Sequence, residues 1–318
     1  MFDLIANFML AIIIILLLMP YLISYLNKLN FGQKIRKLGP SSHQKKEGIP
    51  TMGGVIFLPI IILTSLLLVN FNNYYSLSLF VIFINWSIGV IDDLLIIKNS
   101  SSEGVNGWLK LFFQAVSGVI LGVFIYYSGI GREIFIPFIE TNFDFGFAAV
   151  PFSAIVMMAT TNSVNLSDGL DGLAGGLTFL CLLFFLPILL GDGHLRMAAL
   201  SLQGAGVMLG FLWYNFHPAQ IFMGDAGSLM MGALIAVVAL ISGNGLLLIF
   251  LGGIFVLEAL SVIIQVTYFK FTDGKRIFKM TPLHHHFELS GWNETKVTFR
   301  FYIIQIVFGI VALIIGSI

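Results

Sequence analysis

The chain is expected to fold as an all-α integral membrane protein of about ten transmembrane helices, and three observations predict this. Hydrophobic residues fill 58% of the 318 positions and charged residues only 10%, well under half the ~25% charge of soluble domains. Mean hydropathy is +0.98 and there are 31 phenylalanines, more apolar surface than a water-soluble core can hide. Apolar runs near the ~20 residues needed to cross a bilayer recur along the whole length, unlike the short alternating segments of a membrane β-barrel. Hydrocarbon offers the backbone no partners, so helices that satisfy themselves are what remain.

Spans are expected at 4–26, 52–69, 77–97, 108–128, 147–163, 173–190, 196–214, 227–242, 245–268 and 299–317, within one polytopic domain of residues 1–318. The first span has only Asp3 ahead of it, with no basic segment and no small-residue cleavage site, so it reads as a retained helix. Lys28, Lys34, Arg36, Lys37, Lys45, Lys46, Lys98, Lys110, Lys270, Lys275, Arg276, Lys279, Lys296 and Arg300 fall on one side, which is 14 of the 16 basic residues; Arg132 and Arg196 fall on the other. The positive-inside rule makes the first side cytoplasmic and puts both termini outside. The single cysteine, Cys181, lies in an apolar span and reads as packing.

The cytoplasmic segments also hold 10 of the 16 acids and five of the six histidines, in five patches, so chemistry is expected there. The first patch, "SSHQKKEGIPTMGG" (41–54), puts lysines beside a helix start, which suits either anionic lipid or a bound phosphate. In the second, "GVIDDLLIIK" (89–98), Asp92 and Asp93 sit at the inner end of an apolar span, where acids are functional candidates. They point about 100° apart and need not share a metal. Lys110, opening the next span, can neutralise them or a phosphate.

The third patch, "TTNSVNLSDGLDGL" (160–173), repeats polar residues every three positions. On a continuous helix that spacing keeps Asn165, Asp168 and Asp171 within one 120° sector as a polar stripe. It is not an EF-hand, because the third position counted from Asp168 is Leu170, and not a P-loop, because no Gly-Lys-Ser/Thr follows. In the fourth, "NFHPAQIFMGDAGSLMMG" (215–232), Asp225 opens the eighth span. Alone it would be a helix cap; beside two other acid patches it becomes a magnesium carboxylate. The fifth, "FTDGKRIFKMTPLHHHFELSGW" (271–292), carries His284, His285 and His286. Three consecutive residues do not converge on a zinc ion, so hydrogen bonding to phosphate or sugar is the better reading. Glu258 and Gln265, seven apart within the ninth span, read as helix-to-helix contacts.

Carboxylates for Mg²⁺, cations for phosphate and a large apolar body predict phosphoryl transfer from a soluble donor to a lipid at the inner leaflet. "PTMGG" (50–54), "IDD" (91–93), "NSVNLSDGLDGLA" (162–174), "FMGDAGS" (222–228) and "PLHHHFELSGW" (282–292) resemble, in order, the motifs of the phospho-N-acetylmuramoyl-pentapeptide-transferases. The resemblance implies transfer of phospho-N-acetylmuramoyl-pentapeptide from its UDP-linked donor to undecaprenyl phosphate, giving lipid I and UMP in peptidoglycan synthesis. By the same motifs Asp225 is implied as the magnesium ligand and Asp92 and Asp93 as the essential acid pair. Asn165, Asp168 and Asp171 are implied to line the nucleotide and diphosphate pocket, with Phe222 beside the uracil. Lys46 and Thr51 are implied near the nucleoside, Lys110 in the pocket, and His284, His285 and His286 as the histidine motif. The chain departs from the family's Gly-Thr-Pro-Thr at Gly48-Ile49-Pro50-Thr51, and the segment before Lys110 is atypical.

The expected setting is a bacterial inner (plasma) membrane, with lipid bilayer and no nucleic acid as partner, and with a homodimer left open. Two rivals remain at this level. One is transfer of N-acetylglucosamine phosphate from its UDP donor to the same kind of lipid, against which "PLHHHFE" argues. The other is a secondary transporter, against which the cytoplasmic placement and the absence of repeated motifs argue.

Overall fold

The computed structural model describes residues 2–29, 46, 48–99, 104–139 and 141–316. Lys34, Arg36, Lys37 and Lys45, four of the basic residues behind the orientation reading, lie outside the described residues. The helices are α1 (Phe2–Lys28), α2 (Phe57–Leu68), α3 (Asn73–Asn99), α4 (Gly107–Ser128), α5 (Ala149–Ser167), α6 (Leu173–Gly191), α7 (Leu195–Asn215), α8 (Gly224–Ile241), α9 (Leu248–Leu251), α10 (Gly253–Phe271), α11 (Leu283–Glu288) and α12 (Glu294–Gly316). Among the described residues nine helices are long and apolar enough to cross a membrane, and a tenth apolar segment, Gly53–Leu68, is shorter.

All ten expected spans correspond to these helices, with three local departures. The second begins as a 3-10 turn, Gly53–Ile56, before α2 takes over. The ninth is not one helix: it breaks at Gly252 into the short α9 and the long α10. The segment after α4 holds an antiparallel hairpin, β1 (Glu133–Ile136) and β2 (Thr141–Asp144), which the alternation of so few residues did not announce.

Helix α8 is the hub. In its apolar stretch 89% of the residues are buried, against 22% in α1 and 28% in α12, whose leucines and isoleucines form an outward apolar belt. Its sequence, "GDAGSLMMGALIAVVALI", explains this: with no lipid-driven preference for apolar partners, helices associate where small residues let backbones approach. α3 and α5 flank it, α7 packs alongside α1 and α6, and α4 covers α3 and α5. A fully partnered polar chain ties α1, α2, α3 and α7 together in the apolar interior. Gln203 donates to Asn7 (2.6 Å), Tyr75 donates to Gln203 (3.0 Å), and Ser65 meets Tyr75 (2.8 Å). Such bonds act as glue where water is absent.

Candidate active site

The acids of the second and fourth patches meet where α3 crosses the start of α8. Gly89 makes the crossing possible, because a Cβ there would strike the Asp225 carbonyl. Asp93, 4% exposed, points at the α8 N-terminus: its two oxygens accept the Asp225 and Ala226 N–H groups, both at 3.0 Å. A carboxylate capping orphan amides at the positive end of a helix is a stable arrangement. Asp225 is therefore not its own helix's cap; it stands inside the first turn, where Asp93 fixes its backbone.

Asp92 is turned to the other side of α3, as adjacent helical positions require, and accepts the Val105 N–H at 2.6 Å. Lys110 joins the two sites, 2.8 Å from Asp92 and 2.7 Å from Asp225. Asn165 donates to the other Asp225 oxygen at 2.8 Å and to Ser228 at 2.8 Å. Despite the angle between them, Asp92, Asp93 and Asp225 each bring an oxygen within 4.8 Å of the others. The cluster borders an open cleft of about 520 Å³ lined by Val105, Trp108, Lys110, Asn162 and Asn165 among others.

The third patch is not one helical stripe. α5 ends at Ser167 with Asp168 as its C-cap, and α6 starts after Gly172, whose φ of +75° favours a residue without Cβ. A tight turn thus separates Asn165, which faces Asp225, from Asp171, which faces away into a second cluster. Asp171, 2% exposed, pairs with Lys46 at 2.6 Å and accepts from Ala219 N–H at 3.1 Å, and His217 Nδ1 lies 2.9 Å from it. Lys46 also pairs with Glu294 and lies 5.8 Å from the Phe222 ring centroid. Phe222 is held by strand-like bonds to the first patch, its N–H to Pro50 (2.9 Å) and its carbonyl to Gly53 N–H (2.8 Å), which places partly exposed Thr51 beside it. Burial raises Asp171, but the Lys46 bond and charge, the Ala219 amide and His217 outweigh it and hold it below the usual carboxylate range. Asp168, between the clusters, is pushed up to about 7 by burial and then by the charge of Asp225.

With the geometry in place, the comparisons with known proteins are direct. The "Glycosyl transferase family 4" model matches residues 74–243, and the "Phospho-N-acetylmuramoyl-pentapeptide-transferase signature 1" matches 46–58, the segment that carries Lys46 and Thr51. A phospho-N-acetylmuramoyl-pentapeptide-transferase of Clostridium kluyveri is 46% identical over 312 residues, covering 96% of this chain and 97% of its own. The chain belongs to the phospho-N-acetylmuramoyl-pentapeptide-transferase family. Relatives of the same name from Clostridium novyi (44%, covering 93% of this chain and 92% of theirs) and Brachyspira hyodysenteriae (41%, 95% and 90%) agree.

The three consecutive histidines lie in α11 and separate. His284 is fully buried, its Nδ1 3.1 Å from the equally buried Glu258 and its Nε2 against Gly169. His285 pairs with Glu288 at 2.9 Å, and His286 accepts the Lys279 N–H at 3.2 Å. Glu258 of α10 is thus tied to α11 across the connecting loop. Gln265 similarly accepts the Ile277 and Phe278 amides, at 3.0 and 3.1 Å. Glu294 and His217 are the site residues that sequence reasoning missed. His217 lies near the start of the fourth patch and Glu294 two residues beyond the fifth, and no periodicity marks them; only their approach to Asp171 does.

Proposed function

We propose that this chain joins the two substrates of its family at the α3–α8 crossing on the cytoplasmic side, in a magnesium-dependent transfer. The activity of the family is transfer of phospho-N-acetylmuramoyl-pentapeptide to undecaprenyl phosphate, the lipid I step of peptidoglycan synthesis. The observation that carries the assignment of the reacting centre is the convergence of Asp92, Asp93 and Asp225 with Lys110 between them, open to the cleft beside Trp108.

The donor set fits Mg²⁺: three hard carboxylates against one ammonium leave the cluster net negative. Asp93's oxygens are already taken by backbone amides, so Asp225, the most accessible of the three acids with 21% of its side chain exposed, would be the principal ligand. Mg²⁺ bound there would stabilise charge on the departing UMP.

The remaining work falls to the chain's own residues. The lipid phosphate enters the cleft and meets Lys110, whose ammonium offsets its charge and orients it. Phosphate monoesters have a second pKa near ~6, so the acceptor is mostly dianionic at neutral pH and needs little activation. One of its oxygens forms a bond to the sugar-linked phosphorus of the donor, the bond from that phosphorus to the bridging oxygen breaks, and UMP leaves with that oxygen. Asp92 takes the proton of an acceptor that arrives as the monoanion. Asn165 holds the Asp225 carboxylate in register, and Asp93 holds its backbone. The donor's nucleotide end rests against Phe222, Lys46, Thr51, Asp168 and Asp171, with the histidine motif closing the loop behind Gly169. Both termini then lie outside, in a bacterial plasma membrane.

The test is incubation of the purified protein with undecaprenyl phosphate, Mg²⁺ and either UDP-N-acetylmuramoyl-pentapeptide or UDP-N-acetylglucosamine, followed by UMP release and product mass. Lipid I from the first donor, abolished by chelation, is expected. Product from UDP-N-acetylglucosamine alone would move the chain to the sister activity. A phosphorylated enzyme trapped from donor without lipid would replace direct attack with a covalent route through an aspartyl phosphate.

A further inference from the structure

The turn between α5 and α6 has left one helix and not entered the next; the Gly172 carbonyl already accepts the Gly176 N–H at 2.9 Å, and the peptide groups at Asp171 and Gly172 take further partners from elsewhere. They find them on α12. The Glu294 carboxylate accepts the Asp171 N–H at 2.6 Å, Thr298 Oγ1 donates to the Asp171 carbonyl at 3.4 Å, and Tyr302 OH donates to the Gly172 carbonyl at 2.6 Å. These three residues are spaced by four and lie on one helix face. The fourth group, the Gly172 N–H, donates to Asn215 at 3.1 Å. One stripe of the last helix therefore clamps the backbone of two residues more than a hundred positions away.

Glu294 does something the turn itself does not require: it also binds the Lys46 ammonium, which reaches it from the inner loop. Thr298 and Tyr302 hold the turn alone. The same carboxylate thus sets both walls of the corner beside Phe222, one through an amide and one through an ion pair.

We propose that Glu294, seconded by Thr298 and Tyr302, is a positioning residue for the nucleotide donor, acting through Asp171 and Lys46 and remote from the reacting phosphates. It rests on the reading of Asp171 and Lys46 as the donor's nucleotide wall. A purely structural Glu294, serving only as an acid in the first turn of α12, would change stability and leave substrate affinities alone.

Wild type, E294Q, E294A, Y302F and D171N are compared as full chains in detergent. The readouts are kcat, the KM of each substrate, and calorimetric UMP binding, which needs no turnover. Loss of hydrogen bonds of ordinary strength predicts that E294A raises donor KM and UMP Kd together by about tenfold. E294Q still accepts the Asp171 amide but releases the ammonium, and Y302F removes one of the two donors to the Gly172 carbonyl, so each should cost about threefold, with lipid KM and kcat within about twofold. If E294A does not fold, E294Q and Y302F carry the test. The inference is overturned if donor KM and UMP Kd stay at wild-type values in the Glu294 variants, if E294Q binds UMP more tightly, or if kcat falls while donor KM is unmoved. D171N separates the two levels. Weakened UMP binding in D171N with none in E294A removes this inference only, whereas unchanged binding in D171N removes the reading it rests on as well.

Discussion

Two clusters in this protein have nearly the same composition and opposite designs. At the α3–α8 crossing, Asp92, Asp93 and Asp225 surround Lys110; at the α5–α6 turn, Asp171 and Glu294 surround Lys46, with His217 alongside. The first is built on the ends of packed helices, one acid being spent on the α8 amides, and its Asp225 keeps 21% of its side chain exposed. The second is built on a turn and a loop, with its lysine side chain 11% exposed between two acids that are 2% and 9% exposed. By distance alone, Asp92, Asp93 and Asp225, or Asp171, Glu294 and His217, could hold a metal. The difference teaches that occupancy alone does not separate two carboxylate clusters, since an ammonium and backbone amides reach the acids of both; what separates them is that Asp225 keeps an exposed edge beside a cleft whereas the acids of the turn are closed in.

That contrast can be broken most sharply at Asp225. Asp225→Asn should lower kcat by about a thousandfold, the scale of losing a main electrostatic contribution to a transition state. Rates measured across a Mg²⁺ titration check it, and a variant that retains near-normal turnover would end the assignment. Asp93→Ala comes next and should act on stability, since it leaves two helix-start amides uncapped in a buried place, at about 2–3 kcal/mol. A lowered melting temperature is expected; an unaltered one would mean that Asp93 is not the cap of α8.

At the second cluster the effects are smaller and fall on binding. Asp171→Asn should raise donor KM about tenfold with its Mg²⁺ dependence unchanged, on the scale of a charge-assisted hydrogen bond. A shifted Mg²⁺ requirement with unaltered donor KM would return Asp171 to the metal and erase the distinction between the clusters. The least effect is at Asp168, whose native pKa is pushed up to about 7 from a usual 3.8. An acid raised on folding favours the folded state only while protonated, so stability falls as pH rises between those values. Asp168→Asn should therefore gain in melting temperature over wild type across that interval and hold a constant gain above it; a gain that shrinks with rising pH would reverse the sign.

The membrane class and the ten helical segments were legible because hydrocarbon imposes a length and a composition that any window of sequence reveals. The break at Gly252 was marked only by the Gly252-Gly253 pair, a breaker signal that the surrounding apolar run overrode in the reading of one continuous span. Asp92, Asp93, Asp225 and Lys110 were legible as a group of charges at span ends, and the structure brings them together. The helical stripe was read wrongly: a step of three is periodic only if the helix continues, and α5 stops at Ser167, so Asn165 and Asp171 serve different clusters. Glu294 and His217 carried no local mark, because each matters through partners dozens or hundreds of residues distant, while Glu258 was marked as a helix contact but its partner, His284, was not.

By itself, then, the sequence determined that this chain spans a membrane many times, that its charge and polar motifs gather at one set of helix ends, and that their order is that of its family. These follow from solvation and local chemistry, which act residue by residue. Only the tertiary structure decided which acid caps a helix, which faces a cleft, and that the last helix grips the turn beside the donor corner. Those roles depend on which lone pairs are filled by groups far away in the chain, and that is settled only when the helices pack.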